Sequence, residues 1–185
     1  MTAPRKTPPP PKTTSRKASP PALNPIGLQA ELRQTKSFAS LHAEAFLNLV
    51  RTSAQMEHAL HLRLKPYNLT ETQYNSLRIL RGAGSAGLTC AEIAERLVSQ
   101  DPDITRLVDR LQRQGLVRTE RGVKDRRVVL TKITAAGLDR LKETDPVVES
   151  TVHALLSHLS QSELTTMVQL LERARLFAEP SRQNR

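Results

Sequence analysis

Residues 88–131, LTCAEIAERLVSQDPDITRLVDRLQRQGLVRTERGVKDRRVVLT, constrain the fold more than any other part of the chain. Thr89 and Glu92 have the S/T-x-x-E spacing of a capping box, which predicts a helix opening at Thr89. Ile93, Ala94, Leu97 and Val98 give that helix an apolar stripe. Ser99, Gln100 and Asp101 interrupt it. Asp101 is read as the N-cap of a second helix, with Pro102 at its first position, where the missing N–H costs nothing. In the second helix Ile104, Leu107, Val108 and Leu111 recur at i, i+3, i+4 and i+7, so they must face a core. Thr105, Arg106, Asp109, Arg110 and Arg113 fall on the opposite face. Gly115 ends the helix, because glycine enters a left-handed cap at little cost.

Residues 116–120 and 127–133 have the composition of strands, and the basic run Arg121-Gly122-Val123-Lys124-Asp125-Arg126 joins them as a hairpin tip. Leu88 is a candidate for a short third strand. Helix, turn, helix, strand, tip and strand is the order of a winged helix-turn-helix, whose second helix reads duplex DNA in the major groove. The charge distribution agrees. Residues 106–132 hold nine Lys/Arg against three Asp/Glu, and residues 1–25 hold five against none. The rest of the chain is close to neutral, so the formal excess of +10 sits in these two segments. Clustered positive charge is the footprint of phosphate binding, although a charge run alone is more often only a solvated face.

Eight of the twelve prolines also lie in residues 1–25. Such a tail buries too little apolar surface to order itself, and residues 1–27 are expected to be disordered. The tail has no apolar signal-peptide core, and no stretch approaches a membrane span. It could add phosphate contacts or merely solubilise the chain. Residues 28–64 read as one long helix ended by Pro66, with Phe38, Leu41, Ala45, Leu49, Thr52 and Met56 in one row and Phe46, Val50 and Leu60 in another. Residues 70–80 form a further helix, opened by the box Thr70-Glu71-Thr72-Gln73. Gly82, Gly84 and Gly87 read as the loop that follows it. Beyond the tip segment a helix should start at Thr134 and break at Pro146. The box Ser160-Gln161-Ser162-Glu163 should open the last helix, with Leu164, Met167, Val168, Leu171, Ala174 and Phe177 along it. Residues 179–185 are expected to fray.

The runs ITRLVDRLQRQGLV and DRRVVLTKITAAG together resemble the MarR family of bacterial transcriptional regulators, and the resemblance covers roughly residues 36–178. It implies a mainly α chain with a small β-wing: a winged helix-turn-helix over 67–133, flanked by dimerisation helices over 28–66 and 134–178. It also implies a cytoplasmic homodimer on double-stranded DNA, acting as a repressor released by a small-molecule effector. Asp103, Thr105, Arg106, Arg110 and Arg113 would then face the major groove. Lys124, Asp125, Arg126 and Arg127 would form the wing contact, with Asp125 holding an inserted arginine, for which Arg127 is favoured. Family members often carry Ser or Thr at the start of the reading helix, whereas this chain has Asp101 and Asp103. Asp103 could accept from cytosine N4 or pair with Arg106. An effector would lie between the dimer helices and the reading head, with His42, Phe46, Met56, Tyr74 and Arg78 as candidate lining residues. Phe46, Met56 and Tyr74 are, equally, ordinary core types.

Cys90 is the single cysteine, so no internal disulfide can form. A helix N-terminus favours thiolate, but packing is the commoner role for such a residue. His58 and His61 share a helix face beside Glu57, without the H-x-x-x-H pair or cysteine cluster of a zinc site, so no metal is expected. No phosphate loop, nucleophile elbow or paired carboxylates appear, and the chain reads as a non-enzyme without a cofactor. Two rivals stand beside the regulator: an architectural DNA binder of low sequence preference, and a winged helix used as a protein-interaction module.

Overall fold

The structure is a computed structural model and describes residues 27–99, 103–122 and 125–178. The expected tail disorder, the frayed C-terminus, Pro102 and Lys124 therefore lie outside the described residues. The described residues before Phe38 form a unit of their own, and those from Phe38 onward form a second. The first unit holds one helical turn, α1 (Leu28–Glu31).

The long helix expected from residue 28 starts much later, as α2 (Leu41–Leu64). Two local features explain the break. Arg33 adopts φ 52°, which no right-handed helix carries. Ser40 then offers a fresh N-cap, its hydroxyl accepting from the Ala43 N–H at 3.2 Å. α2 ends at Leu64, before Pro66, and a 3₁₀ turn (Lys65–Tyr67) leads to Asn68 in the left-handed region at φ 55°.

α3 (Glu71–Ala83) opens on the expected capping box, with Thr70 and Gln73 exchanging both bonds. It runs one turn longer than the sequence suggests, taking in Gly82, and stops where Gly84 adopts φ 59°. α4 (Cys90–Arg96) also has its full box, from Thr89 and Glu92. It is shorter than expected. Only Ile93 of its predicted stripe is fully buried, and Val98 lies beyond the helix end, 92% exposed. α5 (Ile104–Arg113) is capped by Asp103 rather than by Asp101. A helix beginning at Ile104 places the Asp103 carboxylate within 3.1 Å of the Arg106 N–H, the bond that an N-cap makes.

β1 (Val117–Arg121) and β2 (Val129–Ile133) pair antiparallel, with Thr119 opposite Thr131. Leu88 adds the expected third strand as a single bridge, exchanging two backbone bonds with Thr131 at 3.0 and 2.7 Å. Gly87, just before it, is required twice over. Its φ is +71°, and a Cβ there would stand 2.8 Å from Thr131 O.

α6 (Ala135–Leu156) passes through Pro146 without the predicted break. Proline removes only one intrahelical bond, and the helix is held on both sides of it. Leu141 and Thr144 are fully buried before Pro146, and Val148 packs on the core after it. α7 (Gln161–Ala178) follows, and Ser160 and Glu163 complete its box.

One core joins the elements from α2 to α6. Leu64 of α2, Leu77 and Leu80 of α3, Ile93 of α4, Leu111 of α5, Val117 of β1 and Leu141 of α6 all belong to it. The first turn of α6 sits directly on the start of the wing. Thr134 caps α6 through the Gly137 N–H and donates its hydroxyl to Gly115 O at 2.7 Å. Gly137 has no room for a side chain: a Cβ would stand 2.2 Å from Leu116 O and 2.7 Å from Ile133 Cγ1. Gly137→Ala should therefore cost about 2 kcal/mol or more, the upper part of the range for overpacking. Urea denaturation at fixed protein concentration measures this, and a variant as stable as the parent would show that α6 does not seat on β1 as described.

Candidate functional site

The amphipathic pattern of α5 is realised, with Ile104 only partly buried against the core. Leu107, Val108 and Leu111 are buried, while Thr105, Arg106, Asp109, Arg110 and Arg113 are exposed on the other face. Asp103 serves the first turn of this helix with both carboxylate oxygens. One caps the Arg106 N–H, and the other pairs with Arg106 Nε at 2.9 Å. Of the two roles open to Asp103 in the sequence, pairing with Arg106 is the one on display. The pair is solvent-exposed, so it orients Arg106 more than it stabilises the fold.

Three hydrogen bonds hold the described part of the wing tip. The Asp125 carboxylate accepts from the Arg127 N–H at 2.9 Å, Asp125 O accepts from the Val128 N–H, and Val128 O accepts from the Gly122 N–H at 2.8 Å. Asp125 thus holds Arg127 by the main chain and leaves its guanidinium outward. Arg126, Arg127 and Arg121 are all exposed. At the wing base Glu120 lies between Arg118 and Lys132, and the bond from Lys132 holds its carboxyl below the usual range. Composition could not show that this acid is paired within the wing base.

A cavity of about 580 Å³ lies between α2, α3, α6 and the turn after α4. Tyr74 and Arg78 line it, as the sequence suggests, and the Arg78 guanidinium sits 5.8 Å from the centre of the Tyr74 ring. His42, Phe46 and Met56 are not among its lining residues. His42 and Phe46 lie exposed near the start of α2. His58 and His61, weighed above only as metal ligands, line it instead, and His61 Nδ1 stands 3.4 Å from Glu71 Oε1. Their i, i+3 spacing beside Glu57 was the available signal. Among the described residues no three His, Cys, Asp or Glu side chains come together as a metal set.

Behind the cavity wall, Asp145 of α6 receives two bonds from α3: Tyr74 Oη at 2.8 Å and Arg81 Nη1 at 2.5 Å. Burial raises the Asp145 carboxyl, but the bonds from Arg81 and Tyr74 outweigh it and leave the group below its ordinary range. Burial and the bond to Asp145 push the Tyr74 phenol up to about 12. Cys90, at the head of α4, is also raised, by burial and then by Asp109, which opposes the thiolate that a helix N-terminus would favour.

An exposed cationic helix face beside a basic two-stranded wing defines a winged helix-turn-helix reader of duplex DNA. Known proteins place it further. Residues 69–129 match the MarR family model. A solved MarR transcription factor from Planctomyces limnophilus is 39% identical, over 74% of this chain and 98% of that one, with a TM-score of 0.57. A mutant MarR from E. coli in complex with operator DNA is 25% identical, over 74% and 99%, with a TM-score of 0.65. The HTH-type transcriptional repressor YetL of Bacillus subtilis is 28% identical over 74% of this chain and 83% of its own length. The chain belongs to the MarR family of transcriptional regulators.

The folded protein holds Tyr74 protonated. Its contribution to stability is therefore complete below pH 10.0, the ordinary value, and is lost as pH rises through about 12. Asp145 acts in the opposite sense: its contribution is present above the ordinary carboxyl range and fades as pH falls through its lowered value. Spectrophotometric titration of the wild type and of Tyr74→Phe should differ by one phenol ionising near pH 12. A difference centred on pH 10 would mean that Tyr74 is neither buried nor bonded to Asp145 as described.

Proposed function

We propose that this protein is a cytoplasmic, homodimeric repressor that binds specific duplex DNA and is released by a small-molecule effector. The carrying observation is the exposed face of α5, where Arg106, Arg110 and Arg113 stand clear of a helix anchored by three buried apolar side chains. On this reading α5 enters the major groove, with Thr105 and the three arginines toward bases and phosphates and Asp103 orienting Arg106. Each well-placed Arg fork onto guanine would supply ~1–3 kcal/mol of discrimination. The wing follows the backbone to the minor groove, where Arg126 and Arg127 bind and Asp125 sets the main chain that carries them.

A dimer is supported by apolar side chains that no described element of the protomer covers. On α2, Phe46 is 65% exposed, and Leu49 and Val50 are about half exposed. On α7, Val168, Leu170 and Leu176 are similarly open. Segments 28–66 and 134–178 would supply the dimer helices, and 67–133 the reading head. Two-fold symmetry matches two half-sites about one helical turn apart. The effector is assigned to the cavity beside Tyr74 and Arg78, where apolar walls meet a guanidinium. Among the described residues no helix is long and apolar enough to cross a membrane. The protein acts by binding rather than by catalysis.

Arg127→Ala is the direct test. The side chain is exposed and its backbone bond to Asp125 survives the change, so the fold should persist. DNA affinity should fall by roughly five-fold to over a hundred-fold, on the order of 1–3 kcal/mol. Anisotropy titration, with gel filtration as the check on the dimer, measures this. Unchanged affinity would discard the wing contact.

A further inference from the structure

We infer that Gln114 is a positioning residue for DNA reading, clasping the C-terminal end of α5 to the turn that follows α2 and so setting the separation of the two reading helices in the dimer. The inference rests on the dimeric, two-half-site reading proposed above.

At the start of α5, Asp103 caps the Arg106 N–H and pairs with Arg106 Nε. The buried stripe Leu107, Val108 and Leu111 sets which face looks outward. At the far end Gln114, the C-cap, reaches out of the helix: its Nε2 donates to Asn68 O at 3.2 Å, across 46 residues of chain.

Asn68 closes the 3₁₀ turn that follows α2. A helix leaves its last carbonyls unsatisfied, and they need partners from elsewhere. Here the Asn68 N–H turns back to Lys65 O and the Leu69 N–H to Leu64 O. The carbonyls of Tyr67 and Asn68 are taken by side chains of other elements. Arg140 of α6 donates to Tyr67 O, and Gln114 of α5 donates to Asn68 O. The turn that joins the proposed dimer helix to the reading head is thus gripped by one side chain from α6 and one from the reading helix itself.

Small changes at this turn are amplified. A helix the length of α2 spans about 36 Å, so a tilt of roughly 5° moves one end by about 3 Å, close to the 3.4 Å step along a DNA strand. Holding the register of two half-sites to one base pair therefore requires the angle between α2 and α5 to be fixed within a few degrees. Gln114 is the polar side chain of α5 that spans this joint.

The test is selection from a random duplex library with the full-length protein, followed by sequencing. Wild type, Gln114→Met and Gln114→Arg are compared. Methionine keeps length and helix propensity but has no donor, and arginine restores a donor of similar reach. Wild type should enrich paired half-sites at one spacing. Gln114→Met should enrich the same half-site sequence, with its preference over spacings one base pair shorter or longer reduced about five-fold, the factor that one net hydrogen bond provides. Gln114→Arg should restore the preference. A Gln114→Met variant with the wild-type spacing preference would overturn the inference alone, as would Gln114→Arg behaving like Gln114→Met. Wild type enriching no paired half-sites would overturn the DNA reading itself, and this inference with it.

Discussion

The burial of one side of α5 is the constraint on which the rest depends. Leu107, Val108 and Leu111 are each at most 5% exposed, and burying a side chain of that kind is worth ~1.5–3 kcal/mol. Three such anchors spaced at i, i+1 and i+4 leave the helix no freedom to rotate about its axis. The exposed arginines are placed by that anchorage, and no contact of their own has to put them there. The elements around α5 complete the seat. α3 supplies Leu77 and Leu80, Leu116 and Val117 close the wing side, and Gly137 lets α6 approach Leu116 O as closely as backbone allows. In the proposed reader, substitutions far from the groove face, at Gly137 for instance, would act on reading through the core.

The sequence shows where this anchorage lies because periodicity and capping are local. Boxes at Thr70, Thr89 and Ser160 mark helix starts that the structure has, and the stripe of α5 is the one that is buried. Errors arose where a non-local or competing interaction decides. Nothing in the apolar pattern of residues 28–64 shows that Arg33 turns left-handed or that Ser40 recaps the chain. Pro146 suggests a break that burial on both sides of it outweighs. Asp101 and Asp103 are equally good caps by residue type, and only the starting register of α5 separates them. The contacts of the candidate site that span many residues of chain, from Tyr74 and Arg81 to Asp145 and from Gln114 to Asn68, have no signature in spacing at all.

The contacts of Tyr74 and Arg81 with Asp145 stand beside the cavity. Tyr74 forms part of its wall and hands its hydroxyl to Asp145 on α6, while Arg81 holds the other carboxylate oxygen. Val98 and Ser99, in the turn that leads toward α5, form part of the same lining. In the proposed regulator, a molecule that fills this space touches the wall fixed to α6 and the turn leading to the reading helix at once. Differential contact with both is the thermodynamic requirement for an effector that changes DNA affinity.

The central claim is that the cationic face of α5 and the wing read a particular duplex. Fluorescence anisotropy against the DNA upstream of the protein's own gene, with a random duplex as control and a salt series for each, tests it most directly. The account predicts tight binding to the upstream DNA, much weaker binding to the random duplex, and a steep loss of affinity with salt as phosphate contacts release counterions. Equal affinity for both duplexes would contradict it and point to an architectural binder, and no binding to either would leave the winged helix as a surface for another protein.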